Sequence, residues 1–324
     1  MFPDSRPRRI RRTPMLRALV RETSLAPSQL ILPIFVLPGT GRREPIGALP
    51  GVDRLSPDLA AELAAQAAAV GVAGVLLFGL PKEKDAVGTS AWDPDGPVPS
   101  AVRAIRAAAP DLVVITDVCL CQYTDHGHCG LVGPNGEILN DASLTNLARA
   151  AVAHARAGAD LVAPSDMFDG RVGVIRDALD EDGFAESVGI LAYSSKFASS
   201  FYGPFRDAAH STPTQGDRRS HQLDPANRRE AVREGLIDEE EGADMLMVKP
   251  ALTALDVISD LSDQTDLPVL AYQVSGEYAM LKHAAAAGAF EFKDAYLESL
   301  LSIRRAGARA VITYGAVEAA QWLR

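Results

Sequence analysis

Eight short β-branched or aliphatic runs recur along the chain, each followed by a stretch of helical periodicity or helix-favouring composition. The runs are 30–37 (LILPIFVL), 74–80 (GVLLFGL), 112–120 (LVVITDVCL), 160–166 (DLVAPSD), 189–196 (GILAYSSK), 243–249 (ADMLMVK), 268–275 (PVLAYQVS) and 310–314 (AVITY). Helical segments between them include Asp58–Ala69, Leu144–Ala157, Arg228–Ile237, Ala254–Ser262, Tyr278–Ala287 and Ala295–Ala306. Such alternation predicts parallel strands with crossover helices, and eight units close into an α/β TIM (β/α)8 barrel. A doubly wound open sheet is the alternative, but no GxGxxG follows an early strand.

Several junctions repeat a phrase: AGAD at 157–160, EGAD at 241–244, AGAF at 287–290 and AGAR at 306–309. Glycine after a helix is a common C-cap, so the phrase is read as architecture at helix-to-strand junctions. Residues 1–28 read as an arm outside the domain, and 29–324 as the barrel. Residues 197–227 form a connection far longer than the usual few and are expected to be an active-site lid.

The arm carries Arg6, Arg8, Arg9, Arg11 and Arg12, which raises a nucleic-acid tail or a transit peptide. A net charge of −10 argues against general polyanion binding, and the strand pattern begins by Leu30, leaving little to remove. No apolar run reaches the roughly 18 residues that cross a bilayer. Three cysteines cannot all pair within one chain, so a reducing cytoplasm is the expected compartment.

In a TIM barrel the chemistry lies at the carboxyl ends of the strands. There the sequence places Asp117, Cys119 and Cys121 on the third run, Ser165 and Asp166 on the fourth, and Lys196, Lys249, Ser275 and Tyr314 on later ones. Only six lysines occur, and two of them end strands. Desolvation at the end of an apolar strand lowers a lysine pKa toward the neutral amine that attacks carbonyls, and a second ammonium pushes the same way. Either lysine alone reads as a rim residue with its head in water; the pair favours Schiff-base chemistry.

All three cysteines fall in one window, Cys119-x-Cys121-x7-Cys129 in DVCLCQYTDHGHCG. Three thiolates favour zinc and leave a fourth position open. His126 and His128 are candidate ligands, read instead as loop residues. Spacing leaves Asp117 open between a proton relay and a turn-closing aspartate. It likewise leaves Arg206 and Arg218 open between carboxylate binding and surface solvation. The chemistry thus points to carbonyl substrates that carry carboxylates.

These residues sit in motifs that closely resemble the porphobilinogen synthase (5-aminolevulinate dehydratase) family, zinc-dependent type, over nearly the whole chain. DVCLCQYTDHGHCG is similar to the family's zinc segment, APSDMFDGRV to its fourth-strand segment, YSSKFASSFYGPFRDAA to its first lysine motif and GADMLMVKPA to its second. GDRRSHQL and YQVSGEYAM match further substrate-contacting stretches. The resemblance implies condensation of two 5-aminolevulinates to porphobilinogen with loss of two waters, on the way to haem. It implies a Schiff base on Lys249 for the propionate-side (P-side) substrate and one on Lys196 for the acetate-side (A-side) substrate. Ser275 and Tyr314 would hold the P-side carboxylate, Arg206, Arg218 and Gln222 the A-side one. Zinc would lie on Cys119, Cys121 and Cys129, with Asp117 and Ser165 close by. Glu234 matches a regulatory magnesium position, and the arm a device that embraces a neighbouring subunit in a homo-octamer.

Two departures are visible: Ser220 stands where some members have cysteine, making a second zinc there doubtful, and Asp125 replaces a common serine in the zinc loop. Two rivals remain at the level of sequence. A metal-free Schiff-base aldolase would need one essential lysine; a non-catalytic metal-binding barrel would leave both lysines inert.

Overall fold

A parallel strand roofed by helices has no wet face, and Leu30–Val36 (β1) is accordingly buried at every position. The computed structural model describes residues 4–324, so the first three residues of the arm lie outside the described residues. Seven more parallel strands follow: Gly74–Gly79 (β2), Val113–Val118 (β3), Leu161–Pro164 (β4), Gly189–Lys196 (β5), Met245–Lys249 (β6), Val269–Tyr272 (β7) and Ala310–Ile312 (β8). β8 returns to β1, pairing Leu30 with Val311 and Ile31 with Ile312, so the ring closes without an open edge. This is the TIM barrel that the alternation implies. Short strands Arg43–Pro45 and Asp53–Leu55 form an antiparallel pair that extends β1 through Phe35 and Arg54.

The crossover helices are Pro57–Ala69 (α1), Pro97–Ala108 (α2), Asn140–Ala157 (α3), Arg171–Glu181 (α4), Arg228–Glu240 (α5) and Leu255–Gln264 (α6). Ser275–Ala286 (α7) and Phe292–Arg305 (α8) both fall between β7 and β8, and Ala316–Trp322 (α9) closes the chain. Small residues let the helices lie close on the barrel: Ala60, Ala64 and Ala67 of α1 are fully buried.

The repeated phrase works as read at three of its four sites. Gly158, Gly242 and Gly307 take left-handed φ of 105°, 102° and 120° and lead into or just precede β4, β6 and β8. AGAF differs, because Gly288 joins α7 to α8 rather than a helix to a strand. The aspartates of the first two phrases add a contact of their own: Asp160 accepts from Val114 N and Asp244 from Ile190 N, each at 2.7 Å.

Preceding β1 are a 3-10 turn at Pro7–Arg11 and a short helix at Pro14–Leu19, neither with a buried residue. The long connection holds a turn at Ser200–Tyr202 and a helix at Gly203–Ala208, more local structure than its sequence suggests. Its ends meet: Leu223 N donates to Lys196 O at 3.0 Å and Ala198 N to Leu223 O at 2.8 Å. Among the described residues no helix is long and apolar enough to cross a membrane.

Gly74 opens β2 where the backbone of β3 comes close, and a Cβ added there would lie 2.6 Å from Val113 O. Because a carbonyl oxygen in a sheet cannot swing aside, Gly74→Ala is expected to destabilise the fold by about 1–3 kcal/mol. Denaturant unfolding checks this; an unmoved midpoint would refute the close approach.

Candidate active site

Parallel pairing of β5 with β6 puts Lys196 and Lys249 side by side as Cα partners at the carboxyl ends of neighbouring strands. Both side chains are buried. Lys249 Nζ lies 4.3 Å from the Tyr272 ring centre, 5.0 Å from Tyr193 and Phe205, and 5.2 Å from Tyr202. Burial, then the charge of Lys196, bring its pKa down to about 7, outweighing the opposite pull of Asp117 and the thiols. A shift of that size is roughly 5 kcal/mol against the ammonium form. Lys196 Nζ donates to the carbonyl oxygen of Ser165, just past β4, and lies 5.5 Å from the same Tyr193 ring.

Beside the lysines, β3 ends at Val118, so Cys119 and Cys121 stand just beyond the strand rather than on it. Cys119, Cys121 and Cys129 are buried, unpaired, and have sulfur atoms all within 4.8 Å of one another. Tetrahedral zinc with bonds of about 2.3 Å holds its sulfurs about 3.8 Å apart, so the donor set fits such an ion. Hydrogen bonds from Cys119 and Cys121 hold the Cys129 thiol well below its usual pKa, while burial, then its cysteine neighbours, push Cys119 well above. His126 and His128 are spent elsewhere: their Nε2 atoms lie against Ala86 O and Gln215 O at 3.2 and 2.9 Å. Asp117 accepts from Gln122 Nε2 at 3.1 Å, and its other oxygen is buried without a partner. Burial, then Cys121, raise its pKa against the two lysines.

The long connection at 197–227, the expected lid, supplies the remaining polar groups. Arg218 Nη2 donates to Gly127 O at 2.8 Å and to Ser211 O, tying the cysteine loop to the lid. Burial alone would lower its pKa, but the sulfurs of Cys129, Cys121 and Cys119 raise it. Arg206 is half-buried, and burial, then Arg218, lower its pKa. Its Nε, and both amide atoms of Gln222, are buried without protein partners. Unpartnered buried donors and acceptors are costly, and their concentration on the lid fits a polar ligand. Clefts of about 800 Å³ (bordered by His128, Phe168 and His221) and about 610 Å³ (bordered by Phe197, Arg219 and Gln222) flank the lid; neither is lined by Lys196 or Lys249.

Other expected residues sit at the margin. Ser275 lies at the start of α7, not on the strand, and its hydroxyl accepts from Phe205 N at 2.9 Å while donating weakly to Phe201 O at 3.4 Å. Tyr314 OH meets Tyr272 OH at 3.0 Å. Glu234, on α5, is half-buried, 3.9 Å from Arg233, with its pKa raised by burial and Asp238. Among the described residues only the cysteines form a group of three metal-type ligands. Asp125 and Ser220 are exposed, Ser220 beside its neighbour His221.

The census of strand ends missed the aromatic cage of Tyr193, Tyr202, Phe205 and Tyr272, although Tyr272 ends its strand and was legible on that ground. Gln122 gave no signal, because its role depends on the turn that follows Cys121.

The sequence profile described as Delta-aminolevulinic acid dehydratase matches residues 4–322. The chain is 50% identical to the Delta-aminolevulinic acid dehydratase of Synechococcus elongatus, covering 100% of both chains. It is also 50% identical to that of Bacillus subtilis, covering 98% of each. A crystal structure of the Toxoplasma gondii delta-aminolevulinic acid dehydratase (porphobilinogen synthase), in complex with the reaction product porphobilinogen, superposes with a TM-score of 0.96 at 47% identity, covering 99% of this chain and 92% of that one.

Removing the Arg218 guanidinium deletes one bond from residues 197–227 to the cysteine loop, at Gly127 O, and one within 197–227, at Ser211 O, leaving the contacts of Thr214 and Gln215 to His126 and His128. Charged hydrogen bonds of this kind are worth about 1.5–3 kcal/mol each. Arg218→Ala should therefore speed tryptic cleavage after Arg219 several-fold in the folded protein; unchanged cleavage would show that the lid is held by other contacts.

Proposed function

The chain belongs to the delta-aminolevulinic acid dehydratase family and is a lyase that condenses two 5-aminolevulinates to porphobilinogen, releasing two waters; we propose that it works through Schiff bases on Lys249 and Lys196 beside zinc on Cys119, Cys121 and Cys129. The observation that carries this reading is the pair of buried amines in register, one with a pKa near 7. At neutral pH a large fraction of Lys249 is then the free amine, ready to attack a ketone.

Lys249 takes the P-side substrate and Lys196 the A-side one. Asp117, protonated more readily than an exposed aspartate, exchanges protons with the nitrogen and oxygen that change charge as each water leaves. Tyr314 and Ser275 bind the P-side carboxylate: the serine hydroxyl gives up its long bond to Phe201 O and keeps its acceptor role toward Phe205. Arg206, Arg218 and Gln222 bind the A-side carboxylate, which would satisfy their unpartnered atoms. Ser165 holds Lys196 through its carbonyl. Residues 197–227 act as the lid that excludes water. Zinc, when bound, supplies a Lewis acid for the A-side substrate.

Three finer readings follow from the same family. Glu234 is a magnesium ligand with a regulatory role, in a neighbourhood that mixes the carboxylates of Asp238 and Asp169 with the guanidiniums of Arg171 and Arg233. The arm pairs subunits in a homo-octamer; Ile10, Met15, Leu19 and Val20 are all exposed on it and await apolar partners. Free thiols suit the cytoplasm, and neither nucleic acid nor membrane is a partner. A metal-free aldolase accounts poorly for three clustered thiols.

The amine form of Lys249 becomes more populated as pH rises through about 7. Borohydride trapping of 5-aminolevulinate on Lys249 should therefore increase from pH 6 and level off about one unit above that midpoint, and Lys249→Ala should abolish both trapping and turnover. A flat profile, or turnover in the variant, defeats the mechanism. Cys129→Ala should weaken zinc binding at least tenfold in a chelator competition, since a buried donor is lost; undiminished affinity would remove Cys129 from the ligand set.

A further inference from the structure

Lys196 takes its orientation from a single backbone carbonyl, that of Ser165, so whatever fixes the turn after β4 also aims the amine. That turn is unusual: Met167 sits at φ 72°, a left-handed conformation in which the Cβ of any L residue crowds the following carbonyl, and Asp166 Oδ1 accepts from Phe168 N at 2.9 Å across it. Arg171, the first residue of α4, closes over the turn. Its Nη1 donates to Asp238 Oδ1 at 2.7 Å and to Phe168 O at 3.4 Å; its Nη2 donates to Asp238 Oδ2 at 2.8 Å and to Tyr193 O at 3.3 Å. The side chains of Arg171 and Asp238 are only 3% and 1% exposed.

One guanidinium thus joins three elements: the turn that carries the acceptor of Lys196, the strand that carries Lys196 itself three residues after Tyr193, and helix α5 through Asp238. A bidentate pair fixes the plane of the fork, which a lysine ammonium cannot do. Of the four rings around Lys249, those of Tyr202, Phe205 and Tyr272 belong to residues with no bond to Arg171 or Asp238, and Tyr193 is joined to Arg171 through its main-chain carbonyl while its side-chain hydroxyl bonds to neither. We propose that Arg171 and Asp238 are positioning residues that aim Lys196, and so govern the second Schiff base while leaving the first untouched; this rests on the two-lysine reading above.

Two variants of the full-length, zinc-loaded protein test it. Arg171→Lys keeps the charge and loses the fork. Arg171→Met with Asp238→Leu removes both charges together at similar volume, a replacement that buried ion pairs often tolerate without loss of stability. Borohydride labelling with 5-aminolevulinate is read by peptide mass at each lysine, alongside kcat and thermal melting. In both variants labelling at Lys249 should stay within about twofold of the unaltered chain, while kcat and labelling at Lys196 fall at least tenfold. Unchanged kcat and Lys196 labelling in the folded double variant would overturn the proposal. So would a parallel loss at both lysines, which marks general support of the barrel. Should the double variant melt early, Arg171→Lys decides on the same readouts. In the unaltered chain, labelling at Lys249 alone sinks the proposal, and labelling at neither lysine sinks the two-lysine reading beneath it.

Discussion

Two amines on adjacent strands, both withdrawn from water, repel one another, and at Lys249 that repulsion adds to burial in loosening the proton. The surroundings of Lys196 and Lys249 are a set of answers to that repulsion. Aromatic faces approach Lys249 from four side chains, a carbonyl accepts from Lys196, and Asp117 lies within electrostatic reach of both. Protonation of Lys249 is left nearly balanced at neutral pH, which is the condition a nucleophilic amine needs. A single lysine at the same depth would feel less pressure to shed its proton, so the pairing register of β5 and β6 is part of the chemistry.

The thiol cluster and the lid are arranged around this pair. Cys129 stands near Arg218, and Arg218 holds both the cysteine loop and the lid segment at Ser211. Positive charge from the lid therefore offsets negative charge on sulfur, and neither loop is independent of the other. The ring of strands supplies the rigidity beneath them, because closure through Leu30 and Val311 leaves no edge to fray.

The sequence was most readable where one residue type does one job. Apolar runs marked all eight strands, since buried parallel strands have no polar face, and the two strand-ending lysines and clustered cysteines stood out by scarcity. Reading failed where geometry depends on the tertiary turn. Helix α2 starts with Pro97 and Pro99, and α4 contains Gly173, which lower helix propensity even where, as in α2, one apolar face is regular. Ser275 looked like a strand end because an apolar run continues past Tyr272, yet the chain has already turned into α7. The short helix Gly203–Ala208 begins at a glycine and a proline and is held by tertiary contacts such as Phe205 N to Ser275 Oγ, which no local pattern announces. Arg171 and Asp238 lie far apart in the chain, and their pairing is visible only once α4 and α5 are packed.

The long connection leaves β5 at Lys196 and comes back to pair with the same residue through Leu223. A loop whose two ends are stitched together closes its ring at the base, and the entropy of closure grows only slowly with the length in between. Holding the end of β5 is thus the work of the stitched base, while the segment between is free to serve a second end, placing Tyr202 and Phe205 against Lys249 and Arg218 against the cysteine loop.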